Sequence, residues 1–229
     1  MHYYIKDFFV FTSNSKLFEG KKVLEVGSRN VNGTLRRIIE NFKPEKYLGI
    51  DIIEGKGVDK VCNANELINE FGSNSFDVVI CTELLEHVRD WKNVITNIKG
   101  VVKPDGLLFI TTRSKGFGHH GYPYDYWRYE IKDFQIIFSD FEILCLAQDV
   151  GSPGVLFWGK KPHDFRETDL KTYKLWSIIK RIRSNSISKF PIYFFLKILP
   201  MYKNILLPLF VDPLRKIFKS NYTVERRAK

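Results

Sequence analysis

Two acids and a cluster of histidines, acids and aromatics are the side chains of this sequence best suited to chemistry. Glu25 and Asp51 each lie at the end of a short apolar run, Val23-Leu24-Glu25-Val26 and Tyr47-Leu48-Gly49-Ile50-Asp51. Asp51 follows Gly27 by 24 residues. That is close to the ~20-residue spacing at which an acid ending the second strand of an open α/β sheet reaches a ribose hydroxyl. Glu25, two residues before Gly27, suits a cationic ligand. The second cluster lies in Gly116-Phe117-Gly118-His119-His120-Gly121-Tyr122-Pro123-Tyr124-Asp125-Tyr126-Trp127-Arg128-Tyr129. His119 and His120 are its neutral-pH bases, and either can take a proton from a hydroxyl group. Asp125 and Arg128 can grip hydroxyls or an anion. Exposed Tyr and Trp cost solubility without return, which points to a use for Tyr122, Tyr124, Tyr126 and Trp127. The alternative is that Tyr122, Tyr126 and Trp127 anchor a lid in the core, with Arg128 as a structural ion-pair partner.

Regular elements must position these groups. Val23, Leu24 and Val26 read as a buried strand, because both faces of a parallel strand are covered. Leu35, Ile38, Ile39 and Phe42 fall at i, i+3, i+4 and i+7, one helix face. The strand-turn-helix unit so formed is where an open α/β sheet holds a nucleotide-like ligand. A dinucleotide site needs Gly-x-Gly-x-x-Gly so that the backbone can approach a pyrophosphate. Arg29 and Asn32 occupy the second and third glycine positions, which disfavours NAD and FAD and leaves a ligand without phosphates.

The run Val23-Leu24-Glu25-Val26-Gly27-Ser28 resembles motif I of class I S-adenosylmethionine-dependent methyltransferases. Ser75-Phe76-Asp77-Val78-Val79-Ile80-Cys81-Thr82-Glu83-Leu84-Leu85-Glu86-His87-Val88 resembles the same family's fourth strand and its exit. Lys103-Pro104-Asp105-Gly106 is a turn by composition, and Leu107 to Thr112 after it resembles the family's fifth strand. Between these, Trp91, Val94, Ile95 and Ile98 make a helix face ended by Gly100. Phe141–Val150 and Gly154–Lys160 read as two terminal strands joined by Gly151-Ser152-Pro153. The resemblance covers residues 20–161. It implies an α/β, Rossmann-like, seven-stranded mostly parallel sheet with a terminal antiparallel pair, and S-adenosylmethionine as cofactor. Glu25, Gly27, Ser28 and Gly33 would then surround the methionine moiety, with Asp51 on the ribose. Asn63 and Ala64 would edge the adenine, and Cys81, Thr82 and Glu83 would line the sulfonium end. Asn63 departs from the acid usual at its position. Glu86 and His87 suit helix capping as well as a functional role.

The 116–129 loop resembles a segment of methyltransferases associated with cell-surface polysaccharide biosynthesis. That resemblance implies an O-methyltransferase acting on a glycan or surface-polymer precursor, with His119, His120 and Asp125 as the catalytic candidates. Tyr122, Tyr124, Tyr126, Trp127 and Arg128 are its candidate substrate-binding residues. A small-molecule or lipid-quinone methyltransferase and a non-catalytic Rossmann-like adaptor subunit are the alternatives. No Asp/His cluster of ligand spacing appears, so no metal is expected.

The chain of 229 residues is long enough for one full core, assigned to residues 1–161, and an extension, 162–229. Tyr3, Tyr4, Phe8, Phe9, Phe11 and Phe18 predict a leading helix or flap packed near the cofactor, and no signal peptide is apparent. Cys62, Cys81 and Cys145 lie in apolar runs, so buried reduced thiols and a cytoplasmic setting are expected. Residues 1–160 carry 20 Lys/Arg against 21 Asp/Glu, whereas residues 161–229 carry 16 against 5, so the basicity belongs to the extension. Leu175, Ile178, Ile179 and Ile182 fit one helical face, followed by apolar runs broken by Pro191, Pro200 and Pro208. Such a basic, apolar, helical extension suits peripheral contact with an anionic membrane through residues 174–211. A cap on the sheet or a dimer element is the alternative. No nucleic-acid module is recognisable, and no nucleic-acid partner is expected.

Overall fold

Strand β1, Lys22–Val26, buries Val23, Leu24 and Val26, as expected of a strand enclosed on both faces. The computed structural model describes residues 3–121 and 124–187, which belong to a compact unit spanning residues 1–187. Helix α1 (Tyr3–Thr12) precedes β1, and α2 (Arg36–Asn41), β2 (Lys46–Asp51) and β3 (Lys60–Val61) follow it. Next come α3 (Leu67–Phe71), β4 (Phe76–Thr82), α4 (Trp91–Val101) and β5 (Val102–Arg113). The chain continues through β6 (Trp127–Arg128), α5 (Ile131–Ile137), β7 (Glu142–Gln148), β8 (Gly154–Lys160), β9 (Leu175–Ser177) and β10 (Ile182–Ser184).

The main sheet has seven strands in the order β3-β2-β1-β4-β5-β8-β7. The first five are parallel, and β8 runs antiparallel to both β5 and β7. The order reverses between β1 and β4, and the carboxyl ends of strands at such a switch point hold the ligand in open α/β sheets. The four-residue segment Lys103–Gly106, expected as a turn before the fifth strand, is an excursion within β5: Phe76 pairs with Val102 and Val78 with Leu107.

One face of the sheet carries a core of Phe9, Phe18, Val23, Leu35, Ile39, Val78, Ile80, Phe109 and Trp158. Helix α1 therefore packs on the sheet itself, with Phe9 at 5.9 Å from Trp158 and the Trp158 indole donating to Thr12 Oγ1 at 2.9 Å. Phe157 alternates to the opposite face, where α5 stacks Phe138 on it at 4.6 Å. Helix α4 joins this side through Trp91, edge-on to Tyr129. All four of its expected core residues, Trp91, Val94, Ile95 and Ile98, are buried.

The helix expected at Leu175–Ile182 is a β-hairpin instead. β9 pairs with β10 and with β6 in a second, three-stranded antiparallel sheet. Arg181, at φ 56°, closes the turn by donating its N–H to Ser177 O at 2.8 Å. The hairpin is tied down by Asp133, which accepts from Tyr173 Oη at 2.7 Å and pairs with Arg183. The compact unit consequently runs past residue 161, the boundary expected from the sequence, to residue 187. Arg183 is thereby paired with an acid while its side chain stays exposed. The apolar runs from Phe190 onward lie outside the described residues. Cys81 is buried, while Cys62 and Cys145 are only partly so, and all three thiols are free.

Candidate active site

The turn after β1 is built for close approach. Gly27 has φ 82°, in the left-handed region, and a Cβ there would meet Leu84 at 3.2 Å. The N–H groups of Gly27 and Ser28 both donate to Ile50 O at 2.9 Å, fixing the turn to the end of β2. Gly33, at φ 115°, receives its anchor from Asn30 Oδ1 at 3.0 Å. Beside the turn, Gly33, Asn30, Lys6, Arg36, Lys56 and Asp59 line a cleft of about 580 Å³.

Glu25 lies beneath this turn, 2 % exposed, and accepts from the Tyr47 hydroxyl. Burial pushes its carboxyl up to about 7 against the opposing effects of Tyr47 and Arg36. Burial and Glu25 together push the Tyr47 phenol far above its ordinary range, so it stays a donor. Asp51 ends β2 half-buried, its oxygens accepting from Arg29 N at 3.3 Å and Ile53 N at 3.0 Å. Ser28 is buried with a hydroxyl that has no hydrogen-bond partner. A cradle that only glycine fits, a buried acid, an orphaned hydroxyl and a half-buried carboxylate match a cationic, ribose-bearing ligand such as S-adenosylmethionine.

Asn63 departs further from its expected role. Its amide oxygen already accepts from Asn65 N and Asn65 Nδ2, each at 3.0 Å, and caps the short helical turn Ala64–Glu66. Ala64, the first residue of that turn, is half-buried. Cys81 is buried in register with Val26 and Ile110, one residue inside the sheet edge, and burial pushes its thiol well up. Thr82 closes β4, and Glu83 follows at φ 54°. Glu83 pairs with Arg113 and accepts from Thr111 Oγ1 at 3.2 Å. Burial, then the neighbouring Glu86, pushes the Glu83 carboxyl up to about 8.

The loop after β5 folds back over this strand end. His120 brings Nδ1 to 3.2 Å from Asp125 Oδ2, and its backbone N–H donates to the same oxygen at 2.8 Å. Asp125 and Glu86 beside it raise His120 to about 9, so the resting imidazole is charged at neutral pH and is no base. Burial raises Asp125, but Arg128 and His120 overcome it and hold the carboxyl well below the ordinary range.

Asp125, Tyr126, Trp127 and Arg128 are all buried, which fits the lid-anchor alternative better than their expected catalytic and substrate-binding roles. Arg128 grips both Asp125 oxygens at 2.6 and 2.8 Å and donates to the carbonyls of Phe117, Gly118 and Trp127. The Trp127 indole donates to Val88 O at 3.0 Å. These side chains anchor the loop in the core. Tyr124 is 60 % exposed and stays available to an acceptor, and Tyr122 lies outside the described residues. His119 lies within the same loop, next to His120.

Sequence spacing does not show how the loop meets Glu86 and His87. Glu86 is fully buried and accepts from Thr112 Oγ1 at 2.8 Å through Oε2. His87 donates from Nδ1 to Tyr124 O, and its ring lies 4.7 Å from that of His120. Gly121, at φ 62°, makes room for it, since a Cβ there would come within 2.6 Å of the His87 ring. The one signal in the sequence is the acid-x-x-acid-His run Glu83–His87, placed directly after a strand.

Comparison with known proteins identifies the family. The ubiquinone biosynthesis O-methyltransferase of Idiomarina loihiensis is 32% identical over 109 residues, 42% of this chain and 44% of the relative, so the chain spans under half of that protein's length. The methyltransferase in complex with the Trm112 activator of Haloferax volcanii superposes with a TM-score of 0.57 at 14% identity, over 71% of this chain and 91% of that one. A SAM-dependent methyltransferase from Aquifex aeolicus gives a TM-score of 0.52 at 17% identity, over 68% and 88%. Residues 1–151 match the family model described as a methyltransferase domain, and the chain belongs to that family of S-adenosylmethionine-dependent methyltransferases.

Proposed function

We propose that the protein transfers the methyl group of S-adenosylmethionine to a hydroxyl oxygen of a small or lipid-like acceptor, such as a quinone precursor. The observation that supports this reading is that the Gly27 turn, Asp51 and Glu83 follow or end neighbouring strands at the β1/β4 switch point, with the cluster of Glu86, His87 and His120 starting three residues after Glu83. The similarity to ubiquinone biosynthesis O-methyltransferases supports the hydroxyl acceptor. A glycan acceptor, expected from the aromatic loop, loses its support because Tyr126 and Trp127 are buried and offer no face to a sugar ring.

When bound, the cofactor supplies a methyl group already activated on a sulfonium. The chain then has to align the acceptor oxygen in line with the sulfur–carbon bond, exclude water and receive the hydroxyl proton. Glu25 and Asp51 hold the two ends of the cofactor, and the loop 116–129 closes the acceptor side. Asp51→Ala is expected to weaken S-adenosylhomocysteine binding by ~1.5–3 kcal/mol, the range of a charge-assisted hydrogen bond. Calorimetry on both proteins tests the cofactor half; equal affinities sink it. Transfer of labelled methyl to an ortho-hydroxyphenol carrying a prenyl tail, beside nucleotide sugars, tests the acceptor half. Label on the sugars alone would restore the glycan reading.

The charge split between the two parts of the chain supports peripheral contact with an anionic membrane through the basic extension. No helix among the described residues is long and apolar enough to cross a membrane. Residues 188–229 carry 9 Lys/Arg against 2 Asp/Glu, more net charge than residues 161–187 with 7 against 3, so the contact is placed mainly beyond residue 187. Full-length protein should float with anionic vesicles and lose binding as salt rises, and a chain ending at Ile187 should not float. Equal flotation of the two would exclude the extension as the membrane element.

A further inference from the structure

Glu86, His87 and His120 come from two separate segments, yet each offers a ligand atom within 4.8 Å of the others. Glu86 Oε1 is buried and makes no hydrogen bond. It faces His120 Nε2 at 3.7 Å and His87 Nε2 at 4.0 Å. No donor hydrogen-bonds that oxygen, a cost only partly offset by the charged His120 ring 3.7 Å away, and an ion binding there displaces the His120 proton to solvent. We propose that these three residues form a divalent-cation site of the two-histidine, one-carboxylate type.

The surroundings of each ligand match what such a site requires. Metal-binding histidines hand the ring nitrogen that is not coordinated to a carboxylate or a backbone carbonyl, which fixes the tautomer and the ring direction. Here His120 Nδ1 is held by Asp125, and His87 Nδ1 by Tyr124 O, so both Nε2 atoms are directed at Glu86 Oε1. The second oxygen of Glu86 is held by Thr112 Oγ1 at 2.8 Å, which leaves the first free to coordinate. Asp125 is itself fixed by Arg128, and Gly121 supplies the space for the His87 ring. Ligands bound at ~2.0–2.2 Å to one tetrahedral ion lie about 3.4 Å apart. The two carboxylate–imidazole separations, 3.7 and 4.0 Å, are close to that value, and the widest of the three, within 4.8 Å, closes by up to about 1.4 Å through rotation of the partly exposed histidine rings.

Two imidazoles and a carboxylate suit zinc, iron, manganese or cobalt better than magnesium or calcium, which prefer oxygen ligands. Three protein ligands leave coordination positions open, the arrangement of catalytic rather than structural sites. Resting on the proposed methyl transfer to oxygen, the ion would take the acceptor hydroxyl as a further ligand and lower its pKa. The hydroxyl proton leaves to solvent, the oxygen forms its bond to the methyl carbon, and the carbon–sulfur bond breaks to give a neutral thioether.

The test uses untagged full-length protein stripped with EDTA. Cobalt is titrated with visible absorption as readout, and zinc by calorimetry. The expected result is uptake of one ion per chain. His87→Gln and His120→Gln should each weaken it ~100-fold or more, beyond the ~10–100-fold typical of second-sphere changes. The exposed, remote His163→Gln should leave it unchanged, and thermal melts of all variants report folding. No one-to-one uptake, or His87→Gln and His120→Gln proteins that fold and bind the ions as the wild type does, would overturn the site. S-adenosylhomocysteine titration of the same samples separates the two questions. Metal uptake without cofactor binding refutes the methyltransferase reading alone, and cofactor binding without metal uptake refutes the metal site alone.

Discussion

Arg128→Ala is expected to lower the unfolding free energy by about 3–5 kcal/mol, the cost of stranding one member of a buried ion pair. Arg128 is 1 % exposed and Asp125 0 %, so water does not reach the carboxylate that the substitution would leave behind. The change also removes the donors of three loop carbonyls, those of Phe117, Gly118 and Trp127. Urea denaturation is the measurement, with the midpoint falling and the slope unchanged. The double replacement Arg128→Met with Asp125→Leu should recover only the part of the loss that comes from the stranded carboxylate, because the His120 N–H groups and the three loop carbonyls stay without partners. Cofactor affinity should hold in both variants at temperatures where they remain folded. A variant that keeps its full stability and loses only acceptor turnover would return Arg128 to the substrate site.

The second large effect concerns Glu25 and has opposite signs for stability and binding. Its carboxyl rises from an ordinary 4.5 to about 7 on folding, so the folded protein holds a proton that the unfolded chain gives up between those values. Stability from this residue is therefore complete below pH ~4.5 and falls as pH climbs through ~7, by roughly 3 kcal/mol in total. Glu25→Gln should remove that fall and leave the protein more stable than wild type at pH 8, with little difference at pH 4. The same substitution should weaken the cofactor, since the cationic methionine end loses its counter-charge. In the wild type, binding should release protons near pH 7, read as a dependence of calorimetric enthalpy on buffer ionisation. If wild type and Glu25→Gln show parallel stability-pH curves, the buried carboxyl is not the group responsible.

Much of the central sheet is legible in the sequence because periodicity and burial agree there. Trp91, Val94, Ile95 and Ile98 mark a helix face, and they are buried as such. The acid at Asp51 closes its strand as its spacing indicates. What misleads is short-range ambiguity. Leu175, Ile178, Ile179 and Ile182 satisfy a helical period, yet the segment is a hairpin, because β6 offers it an edge and Asp133 a partner for Arg183. No local pattern carries that information. The loop is misread for a related reason. Tyr126, Trp127 and Arg128 look like exposed binding groups only if the loop stands free, whereas the fold buries all three, Trp127 bonding to Val88 O and Arg89 O and Arg128 to Asp125. The cluster of Glu86, His87 and His120 is invisible to spacing, since 33 residues separate His87 from His120.

The three-stranded side sheet also imposes an order on synthesis. Trp127 pairs with Ser177, a residue that leaves the ribosome 50 positions later. At ~5–20 residues per second that interval is roughly 2.5–10 s, long compared with formation of the parallel strands already released. During it the nascent chain has its cofactor turn and its first five strands, but the loop bearing His120 has no outer strand to lie against. The proposed acceptor side is therefore completed after the proposed cofactor cradle, and a nascent chain interrupted before residue 175 would carry the cradle with an unlatched door.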